Sequence, residues 1–276
     1  MKTADLHLHT YFSDGTYTPE ELVREALKTE LAAIAVADHD TVEGIGPVLE
    51  AAKGTDLEVI PGIELTAEYE GSEIHILGYL LEYQNKALRE KLTSLKVNRI
   101  ERVHKILGKL RDADVQLDAE DVFALAGQGT VGRLHIARAM VSKGIVGSTQ
   151  EAFQRYIGDK SPAYVCGFRY SPQQAIALIR EYGGIAVLAH PYTVTRDELI
   201  LQCIDWGLQG LEAYYPEHNQ SLLNFYLRFA REHNLLVTGG SDCHGSAKPE
   251  AQIGSIKIPY VLVEKLKETK RLNNAK

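Results

Sequence analysis

His7 and His9 stand one residue apart in the segment Asp5-Leu6-His7-Leu8-His9-Thr10. In an extended strand alternate side chains leave on the same face, so the pair presents two imidazoles to one point in space, a geometry suited to holding a cation. Two histidines on a strand are as often merely exposed polar residues. Here seven further positions accompany them: Asp14 in Ser13-Asp14-Gly15, His39 in Asp38-His39-Asp40, Glu64, His75, His190, and Asp242 with His244, again two apart. Together His7, His9, Asp14, His39, Glu64, His75, His190, Asp242 and His244 offer six imidazoles and three carboxylates. One ion takes only about four to six ligands, so two or three ions are expected. Mixed nitrogen and oxygen donors without thiolate suit Mn²⁺, Zn²⁺ or Fe²⁺, and the spacing leaves that choice open.

Most of these residues close short apolar runs. Asp38 and His39 end Ala33-Ile34-Ala35-Val36-Ala37, Glu64 ends Leu57 to Ile63, and His190 ends Gly184 to Ala189. The pattern predicts seven strands, at 3–9, 32–38, 57–64, 73–80, 184–190, 208–214 and 235–241, with helices near 19–30, 42–53, 172–182, 196–206 and 219–233. Parallel strands with crossover helices bring their C-terminal ends to one side of the sheet, where residues from separate strands converge. A parallel, barrel-like α/β fold with fewer regular units than the eightfold barrel is therefore expected. From about residue 83 to 170 the alternation gives way to helical spacing, with Leu92, Leu95, Ile100, Val103, Ile106, Leu107 and Leu110 forming one apolar stripe. The expectation is a helical cap over 96–169, inserted between barrel segments 1–95 and 170–276.

Composition narrows the class. The chain has 276 residues, 45% hydrophobic and 24% charged, as an ordinary globular protein does. No apolar run approaches the roughly 20 residues that span a bilayer, and no secretory leader pattern opens the chain, so a cytoplasmic protein is expected. Cys166, Cys203 and Cys243 form no Cys-x-x-Cys, which suggests neither a disulfide framework nor a thiolate zinc site. Residues 1–95 carry seven Lys and Arg against eighteen Asp and Glu, a balance of −11, whereas residues 96–169 carry twelve against eight, or +4. A basic insertion over an acidic, metal-holding barrel suits an anionic substrate. The net charge of −7 argues against broad binding to duplex DNA and leaves room for a short single strand. Oligomeric state is not legible.

In order, His7-Leu8-His9-Thr10 with Ser13-Asp14-Gly15, Asp38-His39-Asp40, Gly62-Ile63-Glu64, His75, Ala189-His190-Pro191 and Ser241-Asp242-Cys243-His244 resemble the motifs of the polymerase and histidinol phosphatase (PHP) family of metal-dependent phosphoesterases. The resemblance implies a distorted seven-stranded (β/α)7 TIM-like barrel and a trinuclear site of three divalent ions, with Mn²⁺ first and Zn²⁺ or Fe²⁺ as alternatives. It implies that Glu64 bridges two ions, with His7, His9 and Asp242 on one, His75 and His190 on another, and Asp14, His39 and His244 on a third. The insertion, with Lys96 to Arg102 and Gly132-Arg133-Leu134-His135, resembles the cap of the subgroup that removes phosphate from nucleoside 3′,5′-bisphosphates and trims short RNA from its 5′ end. Many relatives carry proline where this chain has Leu134.

By that resemblance Arg133, His135 and Arg99 hold substrate phosphate, and a metal-activated water hydrolyses the ester. His218, after Tyr214-Tyr215-Pro216-Glu217, follows a strand end on the ligand side and is the candidate proton donor to the leaving oxygen. The expected activity is removal of the 3′-phosphate from nucleoside 3′,5′-bisphosphates. Alternatives are a 5′-3′ exoribonuclease on short RNA, a histidinol-phosphate phosphatase, and a non-catalytic metal-binding module.

Overall fold

The computed structural model describes residues 2–166, 170–194 and 197–275. The expected end of the insertion at residue 169 and the first residue of the expected 196–206 helix lie outside them. An eight-stranded sheet forms the centre, in the spatial order β7-β6-β5-β4-β3-β2-β1-β8. Its strands are β1 (Thr3–Leu8), β2 (Ala33–Val36), β3 (Glu58–Tyr69), β4 (Ser72–Tyr79), β5 (Ile185–Leu188), β6 (Gly210–Tyr214), β7 (Leu236–Gly239) and β8 (Ile258–Pro259). The backbone N–H of His9 donates to the carbonyl of Cys243 at 3.0 Å, which draws the chain leaving β7 against β1 and nearly closes the barrel. Closure needs Gly240, because a Cβ there would lie 2.4 Å from the Cβ of His7.

Two departures from the expected parallel seven-strand barrel have local causes. β3 and β4 form an antiparallel hairpin, and β4 also runs antiparallel to β5. Glu70 and Gly71, both at positive φ (50° and 79°), make the two-residue turn that a right-twisted hairpin favours. The eighth strand is only two residues long and pairs antiparallel with β1, with Pro259 at the sheet edge where a missing N–H is tolerated.

Around the sheet lie α1 (Pro19–Lys28), α2 (Ile45–Ala51), α7 (Pro172–Glu181), α8 (Asp197–Asp205), α9 (Gln220–Glu232) and α10 (Val261–Asn274); between β4 and β5 the chain also forms α3 (Lys86–Asp112), α4 (Ala119–Ala126), α5 (Arg133–Ser142) and α6 (Thr149–Ala152). Helix α1 starts on a Thr18–Glu21 capping box with Pro19 in its first turn, and α7 repeats the device with Ser171, Gln174 and Pro172. Strand alternation sorts the side chains. Ala33, Ala35, Leu77, Tyr79, Ile185 and Val187 pack inside the barrel, while Ile34, Val36, Ile76, Ala186 and Leu188 pack outward beneath the helices. Cys243 is buried in that outer layer, and all three cysteines are free.

Helix α3 changes partners along its length. Leu88, Leu92 and Leu95 join the barrel's outer core, whereas Val103, Ile106, Leu107 and Leu110 join a separate core built with α4, α5 and α6. Ile100, expected in the same stripe, is 39% exposed; the buried line there passes through Arg102 instead. Among the described residues no helix is long and apolar enough to cross a membrane.

Candidate metal centre

The inward phase of the strands carries the chemistry. Glu64 follows Ile60 and Gly62 on the inner face of β3, and His75 precedes Leu77 and Tyr79 on the inner face of β4. Because β4 is antiparallel, His75 near its start sits at the same barrel mouth as the ends of the parallel strands. In β1 a one-residue irregularity between Asp5 and Leu8 resets the alternation, so that Leu8 packs outward and His7 and His9 face the mouth. His190 and Asp242 follow β5 and β7 with φ of 27° and 53°. Left-handed backbone at non-glycine residues costs about 1–3 kcal/mol and is typical of functional positions.

Glu64 is the hub. Its Oε2 lies 3.1 Å from His7 Nε2, 3.2 Å from His9 Nε2 and 3.3 Å from His39 Nδ1, and its Oε1 lies 2.8 Å from His75 Nδ1 and 3.2 Å from His190 Nε2. Asp242 Oδ1 approaches His7 Nε2 at 3.4 Å and His9 Nε2 at 3.2 Å. Asp14 Oδ1 is 3.2 Å from His244 Nε2 and 3.8 Å from His9 Nδ1, and Asp14 Oδ2 is 3.9 Å from His39 Nε2. Three groups of mutually close ligand atoms result: His7, His9, Glu64 and Asp242; His39, Glu64 and His75; and His9, Asp14, His39 and His244. His190 joins the second through Glu64 Oε1 and through His75 Nδ1 at 3.3 Å. All nine expected ligand residues thus meet in one place.

The donor set fits cations. Among the described residues, both ring nitrogens of His9, Nδ1 of His39 and Oδ1 of Asp14 are buried without a hydrogen-bond partner. Buried polar atoms are nearly always satisfied, so several orphans aimed at one another mark a place for positive charge. The titration pattern agrees. Burial opposes ionisation of Glu64, Asp14 and Asp242, yet the surrounding imidazoles, and Lys248 beside Asp242, hold all three carboxyls well below their ordinary range. Burial likewise opposes charge on the histidines, but the carboxylates win at His9, raised to about 9, and at His75, raised to about 10. At His39 burial wins and the value falls to about 3.

Several carboxylates that the sequence did not single out support these ligands. Glu212 of β6 is fully buried; its Oε1 accepts from His7 Nδ1 at 2.9 Å and its Oε2 from the backbone N–H of His190 at 2.8 Å. Glu73 Oε1 lies 2.9 Å from His75 Nε2. Such outer carboxylates fix the imidazole tautomer and leave the other nitrogen free to ligate. Asp38 accepts from Thr10 and Ser13 and shapes the loop that carries Asp14. Asp242 Oδ2, away from the cluster, accepts from Tyr215 Oη at 2.8 Å and Lys248 Nζ at 2.7 Å.

Beside the cluster opens a cavity of about 410 Å³ whose lining includes Asp14, His39, His75 and His244 together with Arg99, Arg102, Arg133 and Lys248. Arg133 binds Asp159 at 2.7 Å and Glu73 at 3.1 Å. Arg99 is held by Asp40 and Thr66, each at 2.6 Å. Arg102 is 93% buried, and its Nη2 has no hydrogen-bond partner among the described residues. His135 is buried outside the lining residues; its Nδ1 accepts from the backbone N–H of Gly132 at the start of α5, and burial lowers its pKa to about 4. His218 also lies outside the lining. Its Nδ1 donates to the carbonyl of Ala213 at 2.8 Å, and its ring packs against Tyr192, Tyr215 and Tyr226.

A family model described as the PHP domain matches residues 5–237. A 5′-3′ exoribonuclease from Haemophilus influenzae is 35% identical over 248 residues, covering 88% of this chain and 90% of its own. A 3′,5′-nucleoside bisphosphate phosphatase from Chromobacterium violaceum is 28% identical over 260 residues, covering 92% of this chain and 91% of its own. Among solved structures, a metal-dependent phosphoesterase from Bifidobacterium adolescentis superposes with a TM-score of 0.87 at 33% identity, covering 95% of this chain and 94% of the other.

Proposed function

The chain belongs to the PHP family, and from that premise we propose that it is a metal-dependent phosphoesterase that removes the 3′-phosphate of nucleoside 3′,5′-bisphosphates. The observation that carries this reading is the meeting of nine ligand side chains around Glu64, with orphaned buried nitrogens, beside an arginine-lined cavity. Three divalent ions fit the three ligand groups, and Mn²⁺ suits the mixed nitrogen and oxygen donors. When bound, such ions lower the pKa of solvent water and neutralise phosphoryl oxygens in the transition state.

The chain's own residues do the rest. Glu212 and Glu73 hold His7 and His75 with one nitrogen turned toward Glu64. Arg133 offers a planar, charge-assisted grip on a second phosphate, and Arg102 adds an Nη2 group with no competing partner among the described residues. That second grip favours a bisphosphate over a monophosphate. Arg99 stands at the same cavity with its guanidinium tied to Asp40 and Thr66, so it braces the wall and contributes charge. His135 acts by capping α5 and holding the Gly132–Arg133 turn. Burial lowers the pKa of His218, and with Nδ1–H committed to Ala213 its Nε2 is an acceptor. Lys248, kept cationic by Asp242 against the effect of burial, lines the cavity and is the better placed donor to a phosphate oxygen.

A second reading, 5′-3′ trimming of short RNA, is favoured by the 35% identical exoribonuclease. Both use the same hydrolytic centre. Comparing a nucleoside 3′,5′-bisphosphate, a nucleoside monophosphate, a short RNA and histidinol phosphate under equal Mn²⁺ tests the assignment. The bisphosphate is expected to give the largest kcat/KM; preference for histidinol phosphate would overturn the nucleotide reading.

A further inference from the structure

The metal cluster and the arginine cavity share one carboxylate. Glu73 sits on β4 two residues from His75, and its side chain is 13% exposed. One oxygen, Oε1, lies 2.9 Å from His75 Nε2; the other, Oε2, lies 3.3 Å from Arg102 Nη1 and 3.1 Å from Arg133 Nη2. The two oxygens therefore face different tasks. Accepting the Nε2–H of His75 leaves Nδ1, at 2.8 Å from Glu64, as the ligating nitrogen. Engaging the two guanidinium groups opposes that benefit at the cavity, because a buried carboxylate competes with any incoming anion for the same donors and repels it.

We propose that Glu73 is a positioning residue that couples the two halves of the site, fixing His75 for metal while restraining the Arg102–Arg133 grip on phosphate. The proposal rests on the phosphoesterase reading above. Its consequence is specific: one substitution moves the two affinities in opposite directions. A carboxylate that served only the fold would move both the same way.

Glu73→Gln removes the charge and keeps the shape. Two titrations of the full chain read the result, Mn²⁺ against a competing metal indicator, and inorganic phosphate by calorimetry on chelator-treated protein. Arg133→Ala serves as the reference for loss of the pocket. The expected outcome is Mn²⁺ binding at the weakest ion weakened by about 10–100-fold, the usual effect of losing an orienting carboxylate, and phosphate binding strengthened about tenfold by freeing two charged donors. Glu73→Asp keeps the charge but withdraws Oε1 from His75, so Mn²⁺ weakens while phosphate stays within about twofold of wild type. Should the glutamine variant fail to fold, the aspartate variant decides. Weakening of both affinities in E73Q, change in neither, or unaltered Mn²⁺ binding in E73D overturns the proposal while wild-type metal uptake leaves the phosphoesterase reading standing. A wild-type chain that takes up no Mn²⁺ removes that reading and this one with it.

Discussion

Replacing Glu212 by glutamine changes almost no volume but forces a choice on two neighbours. In the native arrangement Oε1 accepts from His7 Nδ1 at 2.9 Å and Oε2 accepts from the backbone N–H of His190 at 2.8 Å, all three residues being buried. An amide has only one oxygen. If it serves His190, the NH₂ meets His7 Nδ1, which must become an acceptor; the imidazole proton then moves to Nε2 and blocks the nitrogen that faces Glu64 and Asp242. If it serves His7, two donors confront each other at His190. The first choice withdraws a metal-facing nitrogen, and the second leaves buried donors opposed, which costs about 1–3 kcal/mol. The same range follows from the 10–100-fold loss of metal affinity typical of orienting carboxylates, since tenfold is about 1.4 kcal/mol. Competition between the protein and a metal indicator for Mn²⁺ gives the assay, with bound metal counted after gel filtration. The E212Q chain should lose affinity at the His7 ion by that factor while remaining folded. Wild-type Mn²⁺ affinity in E212Q would refute the tautomer argument and with it the role assigned to Glu212.

Three further outcomes follow from the same geometry. Raised histidine pKa values, about 9 at His9 and about 10 at His75 against 6.5 for the free group, stabilise the metal-free fold below pH 6.5, and that contribution is lost as pH rises through 9 to 10. Mn²⁺ must displace these protons, so the rise in Tm on adding Mn²⁺ should grow from pH 6.5 to 9, and calorimetry in buffers of different ionisation enthalpy should register proton release; heats independent of buffer would contradict this. Arg133→Ala should lower kcat/KM for a 3′,5′-bisphosphate by about 10–100-fold, as expected for a lost charge-assisted grip, while monophosphate turnover moves by less than about threefold; equal losses would place Arg133 outside the second-phosphate pocket. Gly240→Ala should destabilise the fold by about 1–3 kcal/mol or more through overpacking against His7, whereas Gly46→Ala, with open space around it in α2, should be neutral or stabilise by up to about 1 kcal/mol in urea unfolding.

Most of the candidate ligand positions were legible in the sequence because they stand at or near the end of a strand pattern, and a parallel barrel brings such ends together. His75 was legible for another reason than the fold supplies: it opens an antiparallel strand whose start happens to share the mouth. The hairpin that makes it so turns on Glu70-Gly71, and glutamate lacks the asparagine or aspartate signature that announces such a turn. Glu212 is a single acid inside Gly-Leu-Glu-Ala-Tyr, a pattern shared with any half-exposed strand. Its role depends on burial, which comes from closure of the barrel rather than from its neighbours in sequence. Arg102 was hidden in the same way, in a helix whose charge reads as solvated until a second core forms around it. His135 and His218 stood in the right segments, yet backbone carbonyls and amide groups beside them claim one nitrogen of each.

The central claim, that Glu64 joins a cluster of catalytic cations, is tested most directly by counting Mn²⁺ in the purified chain while following phosphate release from a nucleoside 3′,5′-bisphosphate. Three ions per chain, with release abolished by chelation and restored by Mn²⁺, is the predicted result. Release that persists after the metal has been stripped, or a chain that retains no Mn²⁺ at all, would contradict it.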